Sequence, residues 1–296
     1  MGRKRSITGI IFVAWILHAC AAFGAGDVKT YARYVPESQG DFAWENDIAA
    51  FRAYGPGSRD SGVDSGIDCW LKRVPHSIIN NWYSLEYSGK SYTDDHGEGL
   101  DNYHVGKSAG CGGTALWLAG RRIPLGPFVK YEIKVMNRVR CVFTLIYSKE
   151  ISGVVYGEEK TITVERENRL FHVKSVFKKN GVVARGLPVC VGLTTHGGAA
   201  TTSHSLDNGW ISCWERLDDS ELGTGVVLLS PVESVVHHIR SEDLDKGHIL
   251  RIARTDNDGA ISYLAGYAWK KEGSIRTQQQ WEAFLNNPVM RFKKKN

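Results

Sequence analysis

The segment Val129-Lys130-Tyr131-Glu132-Ile133-Lys134-Val135 alternates apolar and charged side chains without a break. Successive side chains of a β-strand point to opposite faces, so this order describes a strand with one apolar and one wet face. Comparable runs recur at 140–147, 160–166, 170–177, 187–194, 210–215, 225–229, 235–239, 249–254 and 261–269. Turn formers such as Asn180-Gly181, Asp207-Asn208-Gly209 and Asp256-Asn257-Asp258-Gly259 separate several of them. Only 76–86 and 277–286 carry helical patterns. Many short antiparallel strands in one large chain predict an all-β sandwich or barrel with a few short helices. No repeat of fixed period is visible, which argues against a propeller.

The first residues read as an address. Arg3-Lys4-Arg5 precede an apolar run, residues 7–17, and small residues lead from there to Gly26-Asp27. That order is a signal peptide over 1–25, and the run is too short to span a bilayer. Leu17-His18-Ala19-Cys20 also looks like a lipoprotein box with Cys20 as the lipidated residue. Either route exports the chain, to the periplasm or to the outer membrane as a lipoprotein.

The remaining residues, 26–296, have no long Pro/Ser/Gly linker, and the 42% hydrophobic content suffices for a sizeable core. They predict a single domain. Removing the three basic residues of the leader lowers the formal charge from +5 to about +2, which is no nucleic-acid footprint. No later apolar run is long enough for a transmembrane segment. Cys69, Cys111, Cys141, Cys190 and Cys213 are widely spaced without a CxxC pair, so a zinc ribbon or thioredoxin site is unsupported. Buried small hydrophobes are their expected role.

Chemistry concentrates in 94–106. Asp94, Asp95, Glu98 and Asp101 lie among His96, His104 and Tyr103, with glycines between them and a second cluster, Gly110-Cys111-Gly112-Gly113, just beyond. Glycines lose more entropy on folding than other residues, and crowded carboxylates repel. Both costs point to a binding or catalytic loop. A divalent cation is one candidate ligand, with Asp95 and Asp101 as its donors. Upstream, Trp44, Glu45, Asn46, Arg52 and Tyr54 fall on two short extended stretches. Arg52 can clamp a carboxylate with two parallel hydrogen bonds, or can pair with Glu45 across a hairpin. Lys72 adds a cationic strand end, and His196 sits where a strand meets Gly197-Gly198. There is no GxSxG elbow, HExxH, Walker loop or dinucleotide-binding glycine pattern.

Four motifs in this order, WENDIAAFRAYGP (44–56), SGIDCWLKRV (65–74), DDHGEGLDNYHVG (94–106) and GCGGTALW (110–117), resemble an exported bacterial family catalogued only as a domain of unknown function. Its members are encoded among polysaccharide-utilisation genes. The family looks similar to an ulvan-oligosaccharide dehydratase, which eliminates water from a terminal uronic acid. It also looks similar to the galactose-mutarotase-like β-supersandwiches that host many polysaccharide lyases. The resemblance therefore implies an antiparallel β-supersandwich acting on an acidic oligosaccharide or polysaccharide. The chain is somewhat shorter than such a family implies, which puts substrate choice in question more than fold.

Elimination at a uronate removes the C5 proton, α to the carboxylate, and expels the C4 oxygen. It needs a cation or dense donors at the carboxylate, a base, and an acid for the departing oxygen. Arg52 with Asn46 is the expected neutraliser, His104 or His96 the base, and Tyr103 the acid. Trp44 or Trp82 could stack on a sugar ring, although core packing is the commoner use of any single Trp, and Lys72, Glu98 and His196 are further candidate substrate contacts. The same parts fit a sugar epimerase or mutarotase, and a non-catalytic glycan-binding lipoprotein stays open as well.

Overall fold

The computed structural model describes residues 30–229 and 234–288, so the leader, Cys20 and the terminal lysines lie outside the described residues. Its first sheet runs in chain order through β1 (Thr30–Val35), β2 (Asp41–Asn46), β3 (Ala50–Ala53), β4 (Ile67–Lys72) and β5 (Gly99–Leu100). A large sheet has the order β14 (Thr201–Ser205), β15 (Trp210–Leu217), β16 (Ser220–Leu228), β19 (Ala260–Trp269), β11 (Leu170–Lys179), β10 (Val154–Glu165), β9 (Arg140–Ile151), β8 (Lys130–Met136). The short β12 (Val182–Val183) pairs with β11. The third sheet orders β17 (Ser234–Ile239), β18 (His248–Arg254), β13 (Pro188–Thr194), β6 (Cys111–Leu118) and β7 (Arg121–Ile123). The strand pairings within the sheets are antiparallel, as the alternation predicts.

One core joins the three sheets. Phe42, Trp44 and Phe51 of the first sheet meet Phe143, Ile162, Phe171 and Tyr263 of the large one, and Cys111, Leu116 and Leu193 of the third. The large sheet thus backs both smaller ones in a two-layer sandwich. The smaller sheets touch at a parallel bridge between Ile67 and Gly110. There Gly110 has φ +55°, and a Cβ on it would stand 2.2 Å from the Ile67 carbonyl oxygen. The second glycine cluster is therefore part of a close backbone approach inside the sandwich, and β6 rather than a ligand loop carries it.

Two helices match the helical patterns. α1 (Ile79–Tyr87) covers the outer face of the first sheet with Ile79, Trp82 and Tyr83. α2 (Gln278–Asn286) buries Trp281 and Leu285 against the outer face of the large sheet, and Thr277 caps it by accepting from the Gln280 amide. The alternating segment 129–135 falls on β8, which ends that large sheet and is exposed along its whole length, so neither face is buried. Cys69, Cys111, Cys141, Cys190 and Cys213 are free and buried, as small hydrophobes would be.

Candidate active site

Alternation on the first sheet decides where its polar residues go. Phe42 and Trp44 turn into the core, while Asp41, Glu45, Arg52, Asp68 and Lys72 take the other face. That face is closed by α1, and its charges collect at two ends.

At one end Lys72 is fully buried, and its Nζ donates to Glu45 Oε2 (2.7 Å), the Asn46 carbonyl (2.9 Å) and the His76 carbonyl (2.8 Å). Glu45 also accepts from the Ile78 and Ile79 amides at 3.0 and 3.1 Å. These amides belong to the first turn of α1, where donors have no intrahelical partner and a negative charge is favourable. Lys72 is therefore a structural ion-pair partner and not a substrate contact. Glu45 does not pair with Arg52; in the β-ladder it stands opposite Ala50.

At the other end Arg52 meets three carboxylates. Its Nη2 and Nε donate to Asp68 Oδ2 at 2.6 and 3.1 Å, and Nη2 donates to Asp101 Oδ2 at 3.0 Å. Asp41 Oδ2 lies 3.9 Å from Nε. Nη1 donates to the Tyr92 hydroxyl at 3.1 Å. The guanidinium stands over the rings of Tyr54 and Trp70, each 5.3 Å from the ring centroid. One cation cannot hold three buried carboxyls ionised. Burial pushes Asp41 up to about 6, although Arg52 opposes the shift. Burial, reinforced by the charge of Asp68, pushes Asp101 well above the usual carboxylate range.

Arg52, Tyr54 and Asp101 open onto a cleft of about 550 Å³ whose other walls are residues 61–63, residues 102–106 and Asp245. His104 is half-exposed there, with Nε2 2.7 Å from Asp245 Oδ1. A Cβ on Gly106 would overlap the Asp245 carboxylate at 2.1 Å, so this glycine lets the loop approach the acid. The cleft thus unites a carboxyl group whose burial favours protonation with an imidazole held by a carboxylate. Arg52, Asp101 and His104 are the sequence candidates it brings together. Tyr54, Asp68, Asp41 and Asp245 complete it.

Other candidates fall elsewhere. Tyr103 forms part of the cleft wall, but its hydroxyl is buried without a hydrogen-bond partner and its ring packs in the core, so it is not placed to protonate a leaving oxygen. His96 is exposed outside the cleft and contacts the Ser91 carbonyl at 2.9 Å. Trp44 is fully buried against Phe51 and Phe143, and Trp82 stacks on Trp70, so neither offers a sugar platform. Asn46 donates to the Glu165 and Asn168 carbonyls from a buried position. Glu98 binds His76, Asn81 and Trp82, which ties its loop to α1. His196 is buried beneath the cleft with both ring nitrogens engaged. Asp95 is clasped by two Arg73 nitrogens, and Asp101 by Arg52, so the two proposed cation donors have separate partners. Among the described residues no cluster of three or more His, Cys, Asp or Glu side chains is arranged to hold a metal ion.

Comparison places this geometry in a family. Residues 20–295 match the model described as Domain of unknown function (DUF4861). Uncharacterized protein P7 of Formosa agariphila is 34% identical over 270 residues, covering 87% of this chain. The chain spans 66% of that protein's length. Among solved structures, the α-N-acetylgalactosaminidase NagBb from Bifidobacterium bifidum matches at TM-score 0.36 and 11% identity, over 82% of this chain and 35% of that one. An α-galactosidase from Lactobacillus brevis matches at TM-score 0.38 and 9% identity, over 80% and 40%. By its match across nearly its whole length, the chain belongs to the DUF4861 family.

Proposed function

We propose that this protein is an exported carbohydrate-active enzyme that performs β-elimination at the uronic acid of acidic oligosaccharides. The observation that supports it is the pairing, in one open cleft, of Asp101 beside Arg52 with His104 beside Asp245. When His104 donates Nε2–H to Asp245, its Nδ1 lone pair is left free to act as a base. Arg52 lines the same cleft and supplies a fixed positive charge beside Asp101.

In the reaction the uronate carboxylate docks beside the Arg52 guanidinium, which lowers the cost of charge building at C5. His104 Nδ1 takes the C5 proton, the C4–O bond breaks, and the electron pair forms the C4=C5 double bond. Asp101, kept neutral by burial, gives its proton to the departing oxygen. Arg52 then faces the new Asp101 carboxylate at 3.0 Å and balances it, while Asp245 balances the imidazolium. Proton return through solvent resets the site. The leader motivates the exported location, and Cys20 supplies a lipid-anchor site if it is the cleaved residue.

The test is incubation with a panel of defined uronate oligosaccharides, followed by absorbance and mass spectrometry. A conjugated 4,5-unsaturated product supports elimination, and its mass separates loss of water from loss of a sugar. Inverted stereochemistry without the chromophore makes the protein an epimerase. Binding without turnover makes it a glycan-binding protein.

A further inference from the structure

His196 follows β13 at a turn below the cleft, and both of its ring nitrogens face acceptors. Nδ1 lies 2.7 Å from Glu215 Oε2, and Nε2 lies 2.7 Å from the backbone carbonyl oxygen of His104. A carboxylate and a carbonyl have no proton to give, so a ring that serves both must donate from both nitrogens. We propose that His196 is a positioning residue: as an imidazolium clamped by Glu215, it fixes the His104 backbone and so sets the stance of the base in the cleft. The inference rests on the assignment of His104 as that base.

The surroundings support it from several sides. The Tyr103 ring meets His196 edge-on, with centroids 4.8 Å apart and planes at 71°, so residues on both sides of the 103–104 peptide are held. His196 takes a left-handed backbone with φ +44°, which its amide hydrogen bond to Thr194 Oγ1 helps to keep. The same turn braces the loop that carries Asp245: the Thr195 amide donates to the Gly247 carbonyl at 3.0 Å. A Cβ on Gly197 would lie 2.6 Å from the Glu242 carbonyl oxygen. One turn therefore touches both halves of the His104–Asp245 pair.

The charged and titratable groups facing His196 are Glu215 from β15, Asp68 from β4, and Tyr103 and His104 from the cleft segment. Burial disfavours the charged ring, but the Glu215 hydrogen bond and charge outweigh it and raise the His196 pKa. Below that pKa both contacts are made. As pH rises through it one proton leaves, and either Glu215 or the His104 carbonyl loses its donor.

Glu215→Gln separates this role from simple packing, because the amide oxygen can still accept from Nδ1 while the charge is gone. Imidazole ¹⁵N–¹H spectra of the wild type and of this variant, recorded against pH, need no substrate. In the wild type His196 should remain mainly doubly protonated at about pH 6.5. The variant should lower its midpoint by about one pH unit or more. The His104 ring signals should show an inflection at the same midpoint and move with it. A His196 that is neutral at that pH in the wild type, or His104 signals indifferent to Glu215→Gln, would overturn the proposal. On a turned-over uronate substrate, the high-pH limb of kcat should move down with the same shift while KM holds. If no uronate is turned over, the proposed reaction fails, yet the spectra still decide the role of His196.

Discussion

Arg52 and Asp68 stand directly opposite each other on β3 and β4, and two guanidinium nitrogens donate to the same Asp68 oxygen. That contact uses two of the five N–H donors of Arg52. The cleft depends on it, since the same guanidinium also holds Asp101.

Arg52→Met should leave the Asp68 carboxylate buried without its counter-charge. Breaking a buried pair in this way costs about 3–5 kcal/mol. Urea denaturation at neutral pH should show that loss, and a smaller one in acid, where the Asp68 carboxyl is protonated. Unchanged stability would mean that the pairing is not made in solution.

Asp41 sets a pH dependence of known sign. Its folded pKa, about 6, exceeds the ordinary 3.8, so its contribution to stability is fully present below about 4 and is lost as pH rises through 6. Asp41→Asn stays neutral throughout, and the wild-type fall between those values should shrink by on the order of 3 kcal/mol. Equal pH slopes in the two proteins would contradict the burial of an uncompensated Asp41.

Lys72→Met tests the assignment of Lys72 to the framework. Glu45 would lose its cation and two carbonyls would lose a donor, so denaturant melts should show a loss of about 3–5 kcal/mol. The folded fraction should bind substrate with wild-type KM. A stable variant with a raised KM would return Lys72 to the substrate.

The core shared by the three sheets leads us to predict one folding unit. Calorimetry on the chain should give a single transition with equal calorimetric and van't Hoff enthalpies. Two resolved transitions would divide it into separately folding parts.

Much of this was legible because alternation is a local signal. The period-2 runs mark most strands of the large sheet, and the helical patterns at 76–86 and 277–286 fall on α1 and α2. Asp101, Arg52 and His104 stand out through their motifs. Asp245 gave no such signal, since it joins His104 across 141 positions and only the tertiary fold brings them together. Lys72, Glu98 and Asn46 depart from the sequence expectation for one reason. A polar side chain near a strand end looks the same in sequence whether it serves a ligand or satisfies buried backbone, and here each does the latter or ties a loop to α1. Trp44 was lost to parity: one residue's shift in phase separates the core face from the covered polar face.

The most direct test of the central claim is the rate at which unsaturated product forms from a uronate oligosaccharide, compared among wild type, His104→Ala and His96→Ala, all with the same β-rich circular dichroism. His104→Ala should lose about 10²–10⁴-fold in kcat, as removal of a general base does, while His96→Ala keeps the wild-type rate. Full turnover by His104→Ala, or equal losses in the two variants, would contradict the placement of the reaction in this cleft.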